Sequence, residues 1–369
     1  MSAKRIVAFL ETVFQGFPKK RQQTLAVLVT ALGSVGKVGV ASLGRAIRSR
    51  VAFKHRIKQV DRFLSNEKVQ VSEWCQALVA TVIGERRSIR IAIDWTKVGP
   101  WPVLVASVVI QRRGIPVYWA TWVYRRLTRS QNAFEESFLT VLRTMIPKEV
   151  EVTLLFDRGF RRVSLARHLK RLGFHFVVRC CGDTHVEAEG WHGALCDLPL
   201  PRGRLRDMGR VRATVEHPED VRLVALFDHG QKDAWYLFTD LDLPAQQIVH
   251  LYGRRFTIEE VFRDKKSTRY GWSLGEYRLK DRPDRLDRLI LVVACAYFLV
   301  CLIGHQIERK GLDRLYKANT VRTRTHSAFQ MGWKGHALVR WLYRTRFFGH
   351  KVVVTRPPDP ARPCVPAWG

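Results

Sequence analysis

Residues Leu289 to Gly304 form an unbroken run of 16 uncharged, mostly apolar residues, flanked by charge on both sides. A helix crossing a bilayer needs roughly 20 such residues, so this run reads as a buried core helix rather than a span. Any fold open to the chain must wrap other elements around it. At 369 residues, with 46% of them hydrophobic, there is material for two or three domains and a substantial core.

Charge narrows the choice of partner. Lys plus Arg number 63 against 33 Asp plus Glu, a formal net charge of +30. Such an excess repels itself unless a polyanion neutralises it, which points to nucleic acid. The basic residues are spread along the whole chain instead of forming one amphipathic helix or a juxtamembrane cluster, so no membrane partner is expected. Seven cysteines form no CxxC pair, and Met1 to Leu10 lacks the apolar core of a secretory signal. This fits a reducing cytoplasm, with the protein on the nucleoid.

Periodicity divides the chain. Residues 1–86 carry helical stripes such as Ile6, Phe9, Leu10, Val13 and Phe14, and later Val51, Phe53, Ile57, Val60, Phe63 and Leu64. Arg48, Arg50, Lys54, His55, Lys58 and Arg62 interleave the second stripe, so this region is expected to be a helical, basic DNA-binding domain. From 87 the pattern turns to strands: Ile89 to Asp94, Val103 to Gln111 and Ile115 to Val123. A helix over Phe134 to Met145 follows, on which Glu135 and Glu136 read as exposed. Next come a strand from Glu151 ending at Asp157 and a helix over Val163 to Leu172. Acids at the carboxyl ends of strands describe an α/β sheet with its site at that edge.

Residues 174–240 return to strands over Phe174 to Arg179, Arg210 to Glu216, Val221 to Phe227 and Ala234 to Thr239, a β-rich insertion. Residues 87–173 and 241–310 are then the two parts of one α/β core. Residues 311–369 form a basic C-terminal region with a Pro-rich end. Cys180, Cys181, His185, His192 and Cys196 lie close together, but their spacing matches no familiar zinc site.

The stretch Tyr252-Gly-Arg-Arg255-Phe-Thr-Ile-Glu259-Glu-Val-Phe-Arg-Asp-Lys-Lys266 concentrates the chemistry. At about 100° per helical residue, Tyr252, Arg255, Glu259 and Lys266 project within roughly 60° of one another. That face offers a carboxylate for a metal ion beside groups suited to phosphate oxygens. Gly253 and the capping-box pattern Thr257-Ile-Glu-Glu260 predict a helix break, which would assure only Glu259 and Lys266 a common side. Phosphodiester cleavage needs an activated oxygen nucleophile and a stabilised leaving oxyanion, which two divalent ions held by carboxylates supply. Asp94, Asp157 and Glu259 are the candidate set.

With these residues the chain resembles the DDE transposases of bacterial insertion sequences, in the subgroup with a Tyr-x2-Arg-x3-Glu-x6-Lys motif. Tyr252, Arg255, Glu259 and Lys266 match that motif without a gap, and Ile-Asp94-Trp-Thr and Phe-Asp157-Arg-Gly-Phe resemble its two acid segments. The resemblance implies an RNase H-like core with a β-strand insertion between the second and third acids. It implies two Mg²⁺ ions, replaceable by Mn²⁺, on Asp94, Asp157 and Glu259, and DNA contacts from Tyr252, Arg255 and Lys266. It implies that Trp235 stacks on a flipped base, where ordinary sheet packing is an equal alternative. Terminal inverted repeats and target DNA are the implied partners, with a homodimer in synapsis. A non-catalytic DNA-binding protein on the same scaffold, or a nuclease without strand transfer, would share these residues except where the acids are lost.

Overall fold

The computed structural model describes residues 3–33, 35, 38–122, 131–213, 219–267, 272–274, 282–318, 320–323 and 325–335. The Pro-rich end, Cys364, Val123 and the 214–216 end of the expected Arg210 to Glu216 strand lie outside them.

Five helices open the chain: α1 (Ala3–Val13), α2 (Lys19–Leu32), α3 (Val40–Ala46), α4 (Phe53–Leu64) and α5 (Val71–Ile83). Only the α1 and α4 stripes stood out in the sequence. In α2 the apolar residues are spread around the helix and buried against neighbours, so no clear stripe marks it. The pair α3 and α4 packs so closely that a Cβ on Gly44 would lie 2.5 Å from Ile57 Cα. Only glycine fits that crossing.

Ten strands form one sheet in the order β3-β2-β1-β4-β5-β10-β9-β8-β6-β7. Their spans are β1 (Ser88–Val98), β2 (Trp101–Ile110), β3 (Arg113–Thr121), β4 (Glu151–Phe156), β5 (His175–Cys180), β6 (His185–Ala188), β7 (Trp191–Ala194), β8 (Arg204–Ala213), β9 (Glu219–Phe227) and β10 (Trp235–Thr239). Strands β1, β2 and β3 form an antiparallel meander, and β4 joins β1 and β5 in parallel. The remaining pairings are antiparallel. The strands between the second and third acids therefore extend the same sheet beyond β5.

The remaining helices are α6 (Gln131–Thr144), α7 (Val163–Leu172), α8 (Ala245–Gly253), α9 (Thr257–Lys266), α10 (Pro283–Arg309) and α11 (Ala328–Gly335). Side chains alternate across the sheet. Leu155, Val177 and Leu237 meet Ile248, Leu251 and Tyr252 of α8 on one face. Phe156, Phe176 and Phe238 meet Leu165 and Leu169 of α7 on the other. The apolar run Leu289 to Gly304 lies inside α10, which touches α2, α4, α5 and β3. By length and composition α10 can cross a membrane, but 89% of its most apolar window is buried inside the protein. One apolar core includes Leu10 of α1, Phe14 just after that helix, Trp74 of α5, Ile91 of β1 and Leu291 of α10.

Candidate active site

The parallel register of β1 and β4 runs from Ser88 opposite Glu151 to Ile93 opposite Phe156. Asp94 and Asp157 are the next residues on each strand, so backbone pairing sets the first two acids side by side. Asp94 is not at the end of its strand, as the apolar run implied. The antiparallel pairing of β1 with β2 continues from Asp94 opposite Val105 to Val98 opposite Trp101. Asp157 does leave its strand, and its carboxylate accepts a 2.9 Å hydrogen bond from the Gly159 amide in a 3-10 turn.

The third acid arrives by way of a helical chain with no sharp break. After α8 a 3-10 turn spans Arg254–Phe256, and α9 starts at Thr257 with Gly253, Arg254, Phe256 and Thr257 all in right-handed helical conformation. The expected capping box does not form: Thr257 Oγ1 donates back to the Arg254 carbonyl at 2.8 Å, and no side chain caps α9. Arg255 therefore stays on the side of Glu259, with which it forms an i,i+4 ion pair. Its other Nη donates to Asp94 Oδ2 at 3.3 Å. From the far end of α9, Lys266 Nζ donates to Thr96 Oγ1 at 2.7 Å, two residues beyond Asp94 on the same face of β1.

Helix α9 is held down by residues whose part in the site no sequence motif revealed. Arg113 of β3 pairs with Asp264 at 3.0 Å and Glu260 at 2.9 Å, and Tyr297 of α10 donates to Asp264 at 3.2 Å. A Cβ on Gly114 would come within 3.3 Å of the Thr257 carbonyl, so its lack of a side chain lets the helix seat on β3. On the opposite face, Glu135 is 1% exposed, against the exposed position its helix pattern indicated. It accepts from Trp95 Nε1 at 2.8 Å, from Gln131 Nε2 at 3.0 Å and from Arg162. Glu135 thus ties α6 to both acid-bearing segments.

Burial and neighbouring charge both act on the acids. Burial lifts the Asp94 pKa to about 7, Asp157 and Glu259 push the same way, and Arg255 opposes them. Burial also raises the Tyr252 hydroxyl. Lys266 is lowered by partial burial, with Asp94 opposing.

Residues 127–299 match the family of transposase DDE domains. This segment is similar to a transposase DDE domain. No curated protein matches the chain. The matched DDE segment contains Asp157, Glu259 and the whole Tyr252 to Lys266 stretch, while Asp94 and the N-terminal helices precede it. Within the matched segment, Trp235 opens β10 at the end of the sheet that carries the acids, since Tyr236 pairs with Cys180 at the end of β5. Its ring meets Tyr252 edge-on at 4.9 Å and Phe256 at 5.7 Å. Tyr252 itself is 1% exposed, so in this arrangement its ring supports Trp235 and Arg255 from below.

Carboxylate oxygens are the donor type a hard divalent ion prefers, and Asp157 and Glu259 add to the burial that raises Asp94. Among the described residues no three His, Cys, Asp or Glu side chains are grouped to hold a metal. At the acids, Arg255 bridges Asp94 and Glu259. The same holds for the Cys180 to Cys196 region: its cysteines and histidines make no such group among the described residues.

Proposed function

We propose that the chain is a transposase that binds the terminal inverted repeats of its own element, cuts DNA at the ends and joins the 3′-hydroxyls to target DNA. The observations that carry this reading are the side-by-side register of Asp94 and Asp157 and the bridging of Asp94 to Glu259 by Arg255. Adjacent acids, Asp94 within β1 and Asp157 just past the parallel strand β4, beside a helix bearing the third, support an RNase H-like core over β1 to β5 and the flanking helices. Asp94, Asp157 and Glu259 would hold two Mg²⁺ ions, or Mn²⁺ in their place, which activate the attacking oxygen and stabilise the leaving oxyanion. Lys266, fixed by Thr96, offers a point charge to a DNA phosphate beside Asp94, and Arg255 offers a planar fork. Trp235 presents a half-buried ring at the same edge, where stacking on an unpaired base would contribute roughly 1–3 kcal/mol.

End recognition belongs, in this reading, to the N-terminal helices. On α4 the exposed residues include Lys54, His55, Lys58 and Arg62, and Phe53 at the helix start is 58% exposed. A basic helix face with apolar groups at its tip suits phosphates and thymine methyls together. Two ends held in one complex call for at least two copies of the chain.

The test uses DNA carrying the inverted repeats that flank the gene. Asp94→Ala should lower Mg²⁺-dependent cleavage by roughly 10²-fold or more, while leaving end binding near wild type. Cleavage by Asp94→Ala at the wild-type rate would remove Asp94 from the site. Equal cleavage by the wild type in Mg²⁺ and in EDTA would remove the metal.

A further inference from the structure

Arg255 is only 5% exposed, yet it pairs with two of the three acids, Asp94 at 3.3 Å and Glu259. Its guanidinium lies 4.6 Å from the centre of the Phe256 ring. Its Nε is buried and has no hydrogen-bond partner among the described residues. A buried donor left unpaired is costly, so this atom marks an unfinished interaction. The fork that a phosphate grips in bidentate fashion includes an Nε, and here that hydrogen is uncommitted. The guanidinium also supplies the positive charge that crowded carboxylates need, and a divalent ion on the same oxygens would have to displace it.

We infer that Arg255 is a tethered stand-in cation that keeps Asp94 and Glu259 from taking up metal until DNA arrives. A phosphate of the bound strand takes the guanidinium, and the two acids are freed together. DNA binding then precedes metal loading, and the cutting centre stays unassembled away from its substrate. This inference rests on the reading of the three acids as metal ligands.

The experiment titrates Mn²⁺ alone into the DNA-free, full-length protein and follows free Mn²⁺ by electron paramagnetic resonance. Arg255→Gln should tighten Mn²⁺ binding by tenfold or more over wild type, and adding Asp94→Asn to that variant should abolish the gain. Arg255→Lys, which keeps the charge but can reach fewer oxygens, should fall between the two and serves if the glutamine variant does not fold. Wild type and Arg255 variants binding Mn²⁺ equally, through Asp94, would overturn the inference and leave the metal reading standing. Absence of Asp94-dependent binding in every folded variant would overturn both.

Discussion

Asp287 sits in the first turns of α10, where Thr121 Oγ1 donates to its carboxylate at 2.6 Å and Trp119 Nε1 donates to its carbonyl at 3.2 Å. Burial pushes its pKa up to about 7 although the Thr121 bonds pull it down. In the unfolded chain it titrates near the ordinary aspartate value of about 3.9. The folded state therefore holds a proton that the unfolded state gives up. The stability this confers is complete below the unfolded pKa and is lost as pH rises through about 7. Thermal melts at pH 5.5 and 8 should show Asp287→Asn losing much less stability between the two values than the wild type. An unchanged difference would mean that Asp287 stays ionised. At this scale the sequence was only partly legible. Asp94 and Asp157 stood out because an acid after an apolar run is conspicuous, and Glu259 through its helical spacing from Tyr252, Arg255 and Lys266. Glu135 and Asp264 did not, because helical periodicity reports which residues are polar and not which find a distant partner. Trp95 lies 40 residues from Glu135, and Arg113 lies 151 residues from Asp264.

Among elements, α7 was read to the residue from its apolar stripe, while β6, β7, α2 and α5 were not. The missed strands have four residues each, too few for alternation to register. The helix break between α8 and α9 was expected at Gly253, but the chain bridges it with a 3-10 turn, which keeps Arg255 and Glu259 on one side. Length misled differently in α10: charged residues at both ends extend the 16-residue apolar run to a helix of 27. Helix α11 crosses α10 at two glycines. A Cβ on Gly304 would lie 1.7 Å from the Ala328 carbonyl oxygen, and one on Gly332 would lie 1.9 Å from that of Val300. Gly304→Ala should force the helices apart and cost at least about 1–3 kcal/mol, the usual scale of overpacking. Urea denaturation would measure it, and a midpoint equal to wild type would mean that α11 does not dock there.

Across the whole molecule, the charge of +30 and the α/β pattern were visible in the sequence, but the way the parts join was not. Long-range pairing decides it: the strands after β5 continue one sheet, and the N-terminal helices share an apolar core with α10 and the meander. Removing residues 1–86 would expose the side of α10 now covered by α2, α4 and α5. The shortened protein should aggregate or bind a hydrophobic dye strongly, as light scattering and dye fluorescence would report. A monodisperse, dye-free fragment would show that those helices are dispensable to the fold. The unbroken sheet also acts as a ruler. From β1 the strands β4, β5, β10, β9, β8, β6 and β7 follow in seven steps. At about 4.8 Å per step these reach roughly 34 Å, close to one turn of B-form duplex. If the chain cuts DNA as proposed, a duplex running across the strands from Asp94 would complete about one helical turn over that span.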